Sequence, residues 1–270
     1  ITNFAGTIDN GTSIPPDTHG AVGPNHVVNM LNTGFQVFQR SGAIVMPQIS
    51  LTAFWSSLGT APGQPASIPF DPKILFDQYA DRFVAVSPGN PDARDGTNNS
   101  WVLVGVSQSN DPTMGWNLYA IRANVGVDAN SWADYPGFGL DPNNVIITNN
   151  MFGRSGGFVH ADVWVINKAT MIAGPGPLVQ GVDYALIHDP CADSGFTYQP
   201  THTFGQTPAT GISYLVDQGW LDLATYTRRF LRVKAITGTG AAAVLSCPPD
   251  ADWIEVTGYN FYQLDAPQRD

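Results

Sequence analysis

A turn followed by a strand recurs four times along the chain, and this repeat limits the fold more than any other feature. Gly23-Pro24-Asn25-His26-Val27-Val28, Asp77-Gln78-Tyr79-Ala80-Asp81-Arg82-Phe83-Val84, Asp141-Pro142-Asn143-Asn144-Val145-Ile146 and, more loosely, 206–216 each run from a turn into an apolar strand. Val27, Phe83, Val145 and Ile212 then stand at equivalent positions, spaced 56, 62 and 67 residues apart. In every unit a third apolar run follows, at 35–38, 101–106, 163–166 and 229–233, and a fourth near 44–45, 117–121, 184–186 and 243–245. No stretch of a dozen residues keeps a 3.6-residue period, so strands carry the pattern. Four-stranded units at this period read as propeller blades. The expected fold is an all-β β-propeller, a single domain over 1–270, with blades near 15–60, 70–123, 134–187 and 198–247. A β-sandwich with coincidental turns is the competing architecture. Segments 1–14 and 248–270 are each too short for a blade. Because a propeller must hide its edge strands, they are expected to combine into a closing fifth blade, the alternative being four visible blades of a chain that continues beyond Asp270. Ile1-Thr2-Asn3 has neither Met nor a basic-then-apolar leader and reads as a processed or trimmed end.

The charged residues agree with this. Of the 22 acidic residues, 21 are Asp and only Glu255 is Glu. Asp competes with the helical backbone and favours turns, which a strand repeat needs between its elements. A formal net charge of −10 with only 12 Lys and Arg argues against nucleic acid as a partner, since that affinity comes mainly from neutralised phosphates. No run approaches the roughly 20 apolar residues of a membrane span. Cys191 and Cys247 cannot by themselves form a four-ligand zinc site. They read as a disulfide, with two separate buried thiols as the alternative. Scarce Lys and two sequons, Asn10-Gly11-Thr12 and Asn98-Asn99-Ser100, fit a secreted, extracellular glycoprotein.

Pro15-Pro16-Asp17-Thr18-His19-Gly20-Ala21-Val22-Gly23-Pro24 resembles the opening blade of a broad group of secreted bacterial β-propeller-like proteins of unassigned activity. Asp71-Pro72-Lys73-Ile74-Leu75-Phe76-Asp77 running into Asp81-Arg82-Phe83, the turn 107–112 before Trp116, and Asp134-Tyr135-Pro136-Gly137-Phe138-Gly139-Leu140 are similar to the same group. The resemblance covers roughly residues 15 to 175. It implies export and a propeller, and it brings no catalytic residues.

The innermost strands of a propeller converge on a central channel, and residues at their leading ends line its mouth. Those residues are Asp17-Thr18-His19, Asp71-Pro72-Lys73, Asp134-Tyr135 and Thr201-His202-Thr203. Asp17, Asp71 and Asp134 are thus the candidate catalytic carboxyls, since glycoside hydrolysis needs two carboxyl groups about 5 to 9.5 Å apart. His19, Tyr135 and His202 are candidate ligand-binding groups at the same opening. Trp132 and Trp220, in loop-like settings, are candidates for stacking on sugar rings. Asp92, Asp95 and Asn98 surround a Gly turn and form a candidate Ca2+ loop, lacking the last acidic ligand of an EF-hand. No cofactor is otherwise required. His160 and Asp162 share one strand face and read as structural side chains, and Gly153-Arg154-Ser155-Gly156-Gly157 reads as a hairpin loop.

Three functions fit these residues. The first is an extracellular propeller that binds a glycan or cell-surface ligand at the channel mouth without catalysis. The second is a carbohydrate-active hydrolase or lyase using the mouth carboxyls, and the third a structural or adhesive surface module.

Overall fold

The computed structural model describes residues 3–191, 195–202, 211–218, 221–222, 227–247 and 253–260. The first sheet is a meander of β1 (His19–Val22), β2 (His26–Leu31), β3 (Gly34–Gln39) and β4 (Ile44–Ile49), followed by the short helix α1 (Leu51–Trp55). The second orders β5 (Lys73–Asp77), β6 (Arg82–Gly89), β7 (Trp101–Ser107) and β8 (Trp116–Arg122) in the same way. The third holds β9 (Ser131–Leu140), β10 (Asn144–Gly153), β11 (Phe158–Asn167) and β12 (Tyr184–His188), with helix α2 (Lys168–Ala173) between the last two. The fourth begins with β13 (Gln199–Pro200) and β14 (Ile212–Gln218), and β15 (Leu221–Asp222), β17 (Val244–Ser246) and β18 (Ile254–Asn260) all pair with its long β16 (Thr227–Thr237). All these pairings are antiparallel. Val27, Phe83 and Val145 each stand second in the second strand of a sheet, and Ile212 first, so the repeat seen in the sequence is the repeat of the fold.

The four sheets are blades of a propeller. Innermost β1 runs beside β5, β5 beside β9, and β9 beside β13, and the apolar cores lie between consecutive sheets. Alternation along each strand decides which gap a side chain fills. In β6, Phe83 and Ala85 pack with Val28, Met30, Phe35 and Val37 of blade 1, while Val84 and Val86 face the opposite gap with Phe138, Val145, Ile147 and Trp164 of blade 3. In β11, Val163 and Val165 turn to Tyr198, Leu215 and Ile236 of blade 4. Central strands buried on both faces explain the dense apolar runs. A sandwich would bury one face of each sheet.

Asp residues make many of the turns. Asp77 Oδ1 accepts from the amides of Tyr79 at 2.9 Å and Ala80 at 3.3 Å, and Asp141 Oδ1 accepts from those of Asn143 and Asn144, both at 2.7 Å. Two links tie blades together. Lys168 Nζ lies 2.6 Å from Asp77 Oδ2, both side chains buried, and a Cys191–Cys247 disulfide joins the segment after β12 to the segment after β17, 56 residues apart.

The described parts of both leftover segments, 3–14 and 253–260, lie against these blades. Residues 3–18 hold no strand; Phe4 packs on Phe38 with ring centroids 5.4 Å apart, and Asp9 accepts from the Thr33 hydroxyl at 3.1 Å. The C-terminal tail contributes β18, which pairs with β16 from Thr227↔Asn260 to Leu231↔Ile254 and widens the fourth sheet.

Candidate functional site

Each innermost strand has a left-handed bend, just before β1, β5 and β13 and, in β9, at the bulge around Tyr135. Asp17 (φ 46°), Asp71 (φ 43°), Tyr135 (φ 45°) and Thr197 (φ 60°) all lie there. Asp tolerates this conformation through short-range hydrogen bonding, whereas Tyr and Thr hold it at a cost of about 1–2 kcal/mol. An Asn from the preceding blade fixes two of these bends. Asn32 Oδ1, just after β2, accepts from the Asp71 amide at 2.6 Å, and Asn150 Oδ1 on β10 accepts from the Thr197 amide at 2.8 Å.

These bends bring Asp17, Asp71 and Asp134 from three blades into one wall, where the Asp71 carboxyl is hydrogen-bonded to those of Asp17 and Asp134. Burial comes first, and the hydrogen bonds and negative charge of Asp17 and Asp134 add to it, pushing Asp71 up to about 8. Burial also raises Asp134, against the hydrogen bonds it accepts from the Tyr135 amide and from Asp71. Burial and the neighbouring carboxylates thus favour a proton on the trio. Asn32 Nδ2 donates to Asp17 Oδ2 at 2.5 Å.

Two cavities meet at this wall. The outer one, of about 570 Å3, is lined by all three Asp and by Asn32, Phe70, Arg94 and Trp132. The inner one, of about 220 Å3, is lined by Asp17, Asp71, His19, Lys73 and Tyr135. Burial lowers Lys73, opposed by the charges of Asp71 and Asp17; burial and the Lys73 charge lower His19. His19 Nδ1 accepts from the Ile74 amide at 3.2 Å, so its proton sits on Nε2. Lys73 Nζ lies 4.6 Å from the centre of the Tyr135 ring.

The expected groups divide as follows. His19 and Tyr135 line the inner cavity and Trp132 the outer, beside Phe70 and Phe152 at centroid distances of 6.3 and 5.6 Å. His202 does not join them. It lies past the far end of β13, in the field of Asp77 and Lys168 at the other end of the channel, and burial lowers its pKa. The blade 4 counterpart of the mouth Asp residues is Thr197, because β13 is only two residues long and starts before the Thr-His-Thr sequence that imitates Asp-Thr-His. Trp220 lies outside the described residues.

The loop holding Asp92, Asp95 and Asn98 is a hydrogen-bonded turn. Asp95 Oδ2 accepts from the Gly63 amide and the Ser67 hydroxyl, both at 2.7 Å, and its Oδ1 from the Thr97 amide and hydroxyl, both at 2.8 Å. These donors hold Asp95 below the usual carboxylate range, against a smaller burial effect than at the mouth. Asp92 and Asn98 are exposed. What this loop brings to the cleft is Arg94, which sequence reading passed over because its neighbours looked like cation ligands. Asn10 and Asn98 of the sequons are both on the surface.

No protein-family model matches the chain, and no curated protein matches it. Among solved structures it is similar to a family-43 (GH43) endo-arabinanase from Bacillus licheniformis, with 14% identity over 88% of this chain and 74% of that one and a TM-score of 0.40. An arabinanase from Bacillus subtilis matches at 14% identity over 84% and 74%, TM-score 0.41. A thermostable family-43 glycoside hydrolase matches at 12% over 93% and 75%, TM-score 0.39.

Proposed function

We propose that the chain is a carbohydrate-active hydrolase that cleaves glycosidic bonds in the outer cleft. The observation that carries this is the mouth trio: three carboxyls from three blades, with Asp71 pushed up to about 8 by burial and by its carboxylate neighbours, lining a cavity of about 570 Å3. Asp17 and Asp134 each stand one hydrogen bond from Asp71. The outer pair therefore falls within the roughly 10 Å over which two carboxyls can act on one glycosidic bond.

Asp134, with its raised pKa, protonates the leaving glycosidic oxygen, and Asp71 supplies the shared proton that keeps it competent. Asp17, oriented by Asn32, acts as base or nucleophile at the anomeric carbon. One C–O bond breaks, water adds to the sugar, and its second proton returns to the trio. Trp132 and Phe70 offer apolar faces beside Asp134 for a sugar ring, and Arg94 offers hydrogen-bond donors to hydroxyls. The Cys191–Cys247 disulfide and the surface sequons support an extracellular setting. Among the described residues no helix is long and apolar enough to cross a membrane.

Incubation with a panel of polysaccharides that includes arabinan tests this reading by release of new reducing ends. The expected result is release from at least one polymer and its loss, by about a thousandfold or more, in Asp17→Asn and Asp134→Asn. Glycan binding without release would instead assign the cleft to a non-catalytic binding module.

A further inference from the structure

In blade 3, apart from the mouth trio, Asp128, His160, Asp162 and His188 each bring one donor atom to within 4.8 Å of the others. None of the four lines either mouth cavity. The strand pattern builds most of the cluster. His160 and Asp162 alternate onto one face of β11, and His188, the last residue of β12, is the register partner of Asp162 and so shares that face. Asp128 comes from the single turn Gly126–Asp128 that leads into β9.

The contacts are short. His160 Nε2 lies 3.0 Å from Asp128 Oδ1 and 3.3 Å from Asp162 Oδ1, and His188 Nδ1 lies 3.1 Å from Asp128 Oδ2 and 2.8 Å from Asp162 Oδ1. Yet both Asp128 oxygens, Asp162 Oδ2 and His160 Nε2 are buried without a hydrogen-bond partner. The side chains of both Asp residues are 0% exposed. Of the four contacts only His188 Nδ1 to Asp162 Oδ1, at 2.8 Å, is a hydrogen bond, so the remaining donor atoms sit close together with no hydrogen bond to satisfy them. Two carboxylates buried in this way are costly unless something positive shares the space.

We propose that Asp128, His160, Asp162 and His188 form a structural site for a divalent transition metal of the softness of Zn2+. Two imidazole nitrogens and two carboxylate oxygens suit Zn2+ and its neighbours, and two negative charges balance the ion. Calcium takes six to eight oxygens and finds only two carboxylates here. Tetrahedral ligands on bonds of about 2.0–2.2 Å stand about 3.4 Å apart; the four nitrogen–oxygen contacts of 2.8–3.3 Å lie close to this, and donor atoms separated by up to 4.8 Å draw inward onto the ion. With all four positions supplied by side chains, the site has no open coordination position for chemistry. It pins the β8–β9 connection to the outer strands of blade 3, three residues before the Cys191 disulfide. The His188 side chain, 39% exposed, gives the ion a route in.

The full chain, stripped with a chelator, is titrated with ZnCl2, and metal content and thermal unfolding are measured; Co2+ serves as a spectroscopic substitute. The expected result is one ion per chain, a higher unfolding midpoint, and visible Co2+ bands of four-coordinate type. His188→Ala and the nearly isosteric Asp128→Asn are expected to lower bound Zn2+ to background while retaining the wild-type circular dichroism. The proposal is overturned if the folded wild type takes up no Zn2+, if both folded variants keep the wild-type stoichiometry, or if Ca2+ displaces Zn2+. In the first case the four residues form an acid–imidazole network instead. Because none of these residues lines the cleft, failure here leaves the hydrolase reading standing, and failure there leaves this one.

Discussion

The amide of Asp71 donates to Asn32 Oδ1 at 2.6 Å, so a residue of blade 1 fixes the carboxyl-bearing bend of blade 2. The Asn32 amide nitrogen donates in turn to Asp17 at 2.5 Å and to the Pro15 carbonyl at 3.0 Å. One side chain thus sets the relative position of two of the three mouth carboxyls.

Asn32→Ala removes all of these bonds and leaves the Asp71 amide short of a partner. Stability is expected to fall by about 1–3 kcal/mol, and glycan hydrolysis by about 10- to 100-fold, as for other residues that orient reacting groups. Urea unfolding and kcat/KM, measured on the same preparation, check both. Loss of stability with unchanged kcat/KM would remove Asn32 from the site.

The pH dependence of stability reports the trio. Asp71 is raised from 3.8 to about 8, so between these values the fold holds a proton that the unfolded chain has released. The stability from that proton is complete below about pH 4 and is lost progressively as pH rises to about 8. Asp71→Asn has no such proton to lose. Its unfolding midpoint is therefore expected to gain on the wild type steadily from pH 4 to pH 8 and then level off. Parallel curves would show that Asp71 titrates normally.

The buried pair of Lys168 and Asp77 links blades 3 and 2. Lys168→Met leaves Asp77 buried without its cation and is expected to cost about 3–5 kcal/mol, most of it recovered when Asp77→Asn, whose Oδ1 still accepts from the Tyr79 and Ala80 amides, is added. A double-mutant cycle by denaturant unfolding measures the coupling. Additive costs would mean that the two side chains stabilise independently.

Reduction of the Cys191–Cys247 bridge frees a loop of 56 residues. Loop-closure entropy puts its contribution near 4 kcal/mol at most. The Cys191→Ser/Cys247→Ser variant is expected to unfold at lower denaturant, with the change borne by blades 3 and 4. Hydrogen exchange resolves this, since protection in β2, β3, β6 and β7 is expected to persist.

Much of this fold can be read in the sequence because strand alternation and turn chemistry are local. Val27, Phe83, Val145 and Ile212 mark four second strands without reference to distant contacts. The mouth carboxyls were legible for the same reason: Asp17 and Asp71 each stand two residues before an innermost strand, and Asp134 holds the matching place beside the bulge inside β9. His202 was misplaced because the bend at Thr197 is a backbone property, and Thr gives no sign of a positive φ. The Asp128, His160, Asp162 and His188 cluster was half visible. His160 and Asp162 alternate on one strand, but nothing local announces that His188 is the cross-strand partner of Asp162 or that Asp128 folds in from another connection. Arg94 was hidden by the acidic residues around it, whose oxygens are used within the turn.

A proton held on the mouth trio at neutral pH underlies the acid role assigned there, and carbon-13 NMR of Asp-labelled protein reads it directly. The expected spectrum contains one carboxyl signal titrating near pH 8 that disappears in Asp71→Asn. If the Asp17, Asp71 and Asp134 carboxyls, assigned by the loss of each signal in its Asn variant, instead all titrate below about pH 5, the trio is fully ionised at neutral pH and has no proton to give to a glycosidic oxygen.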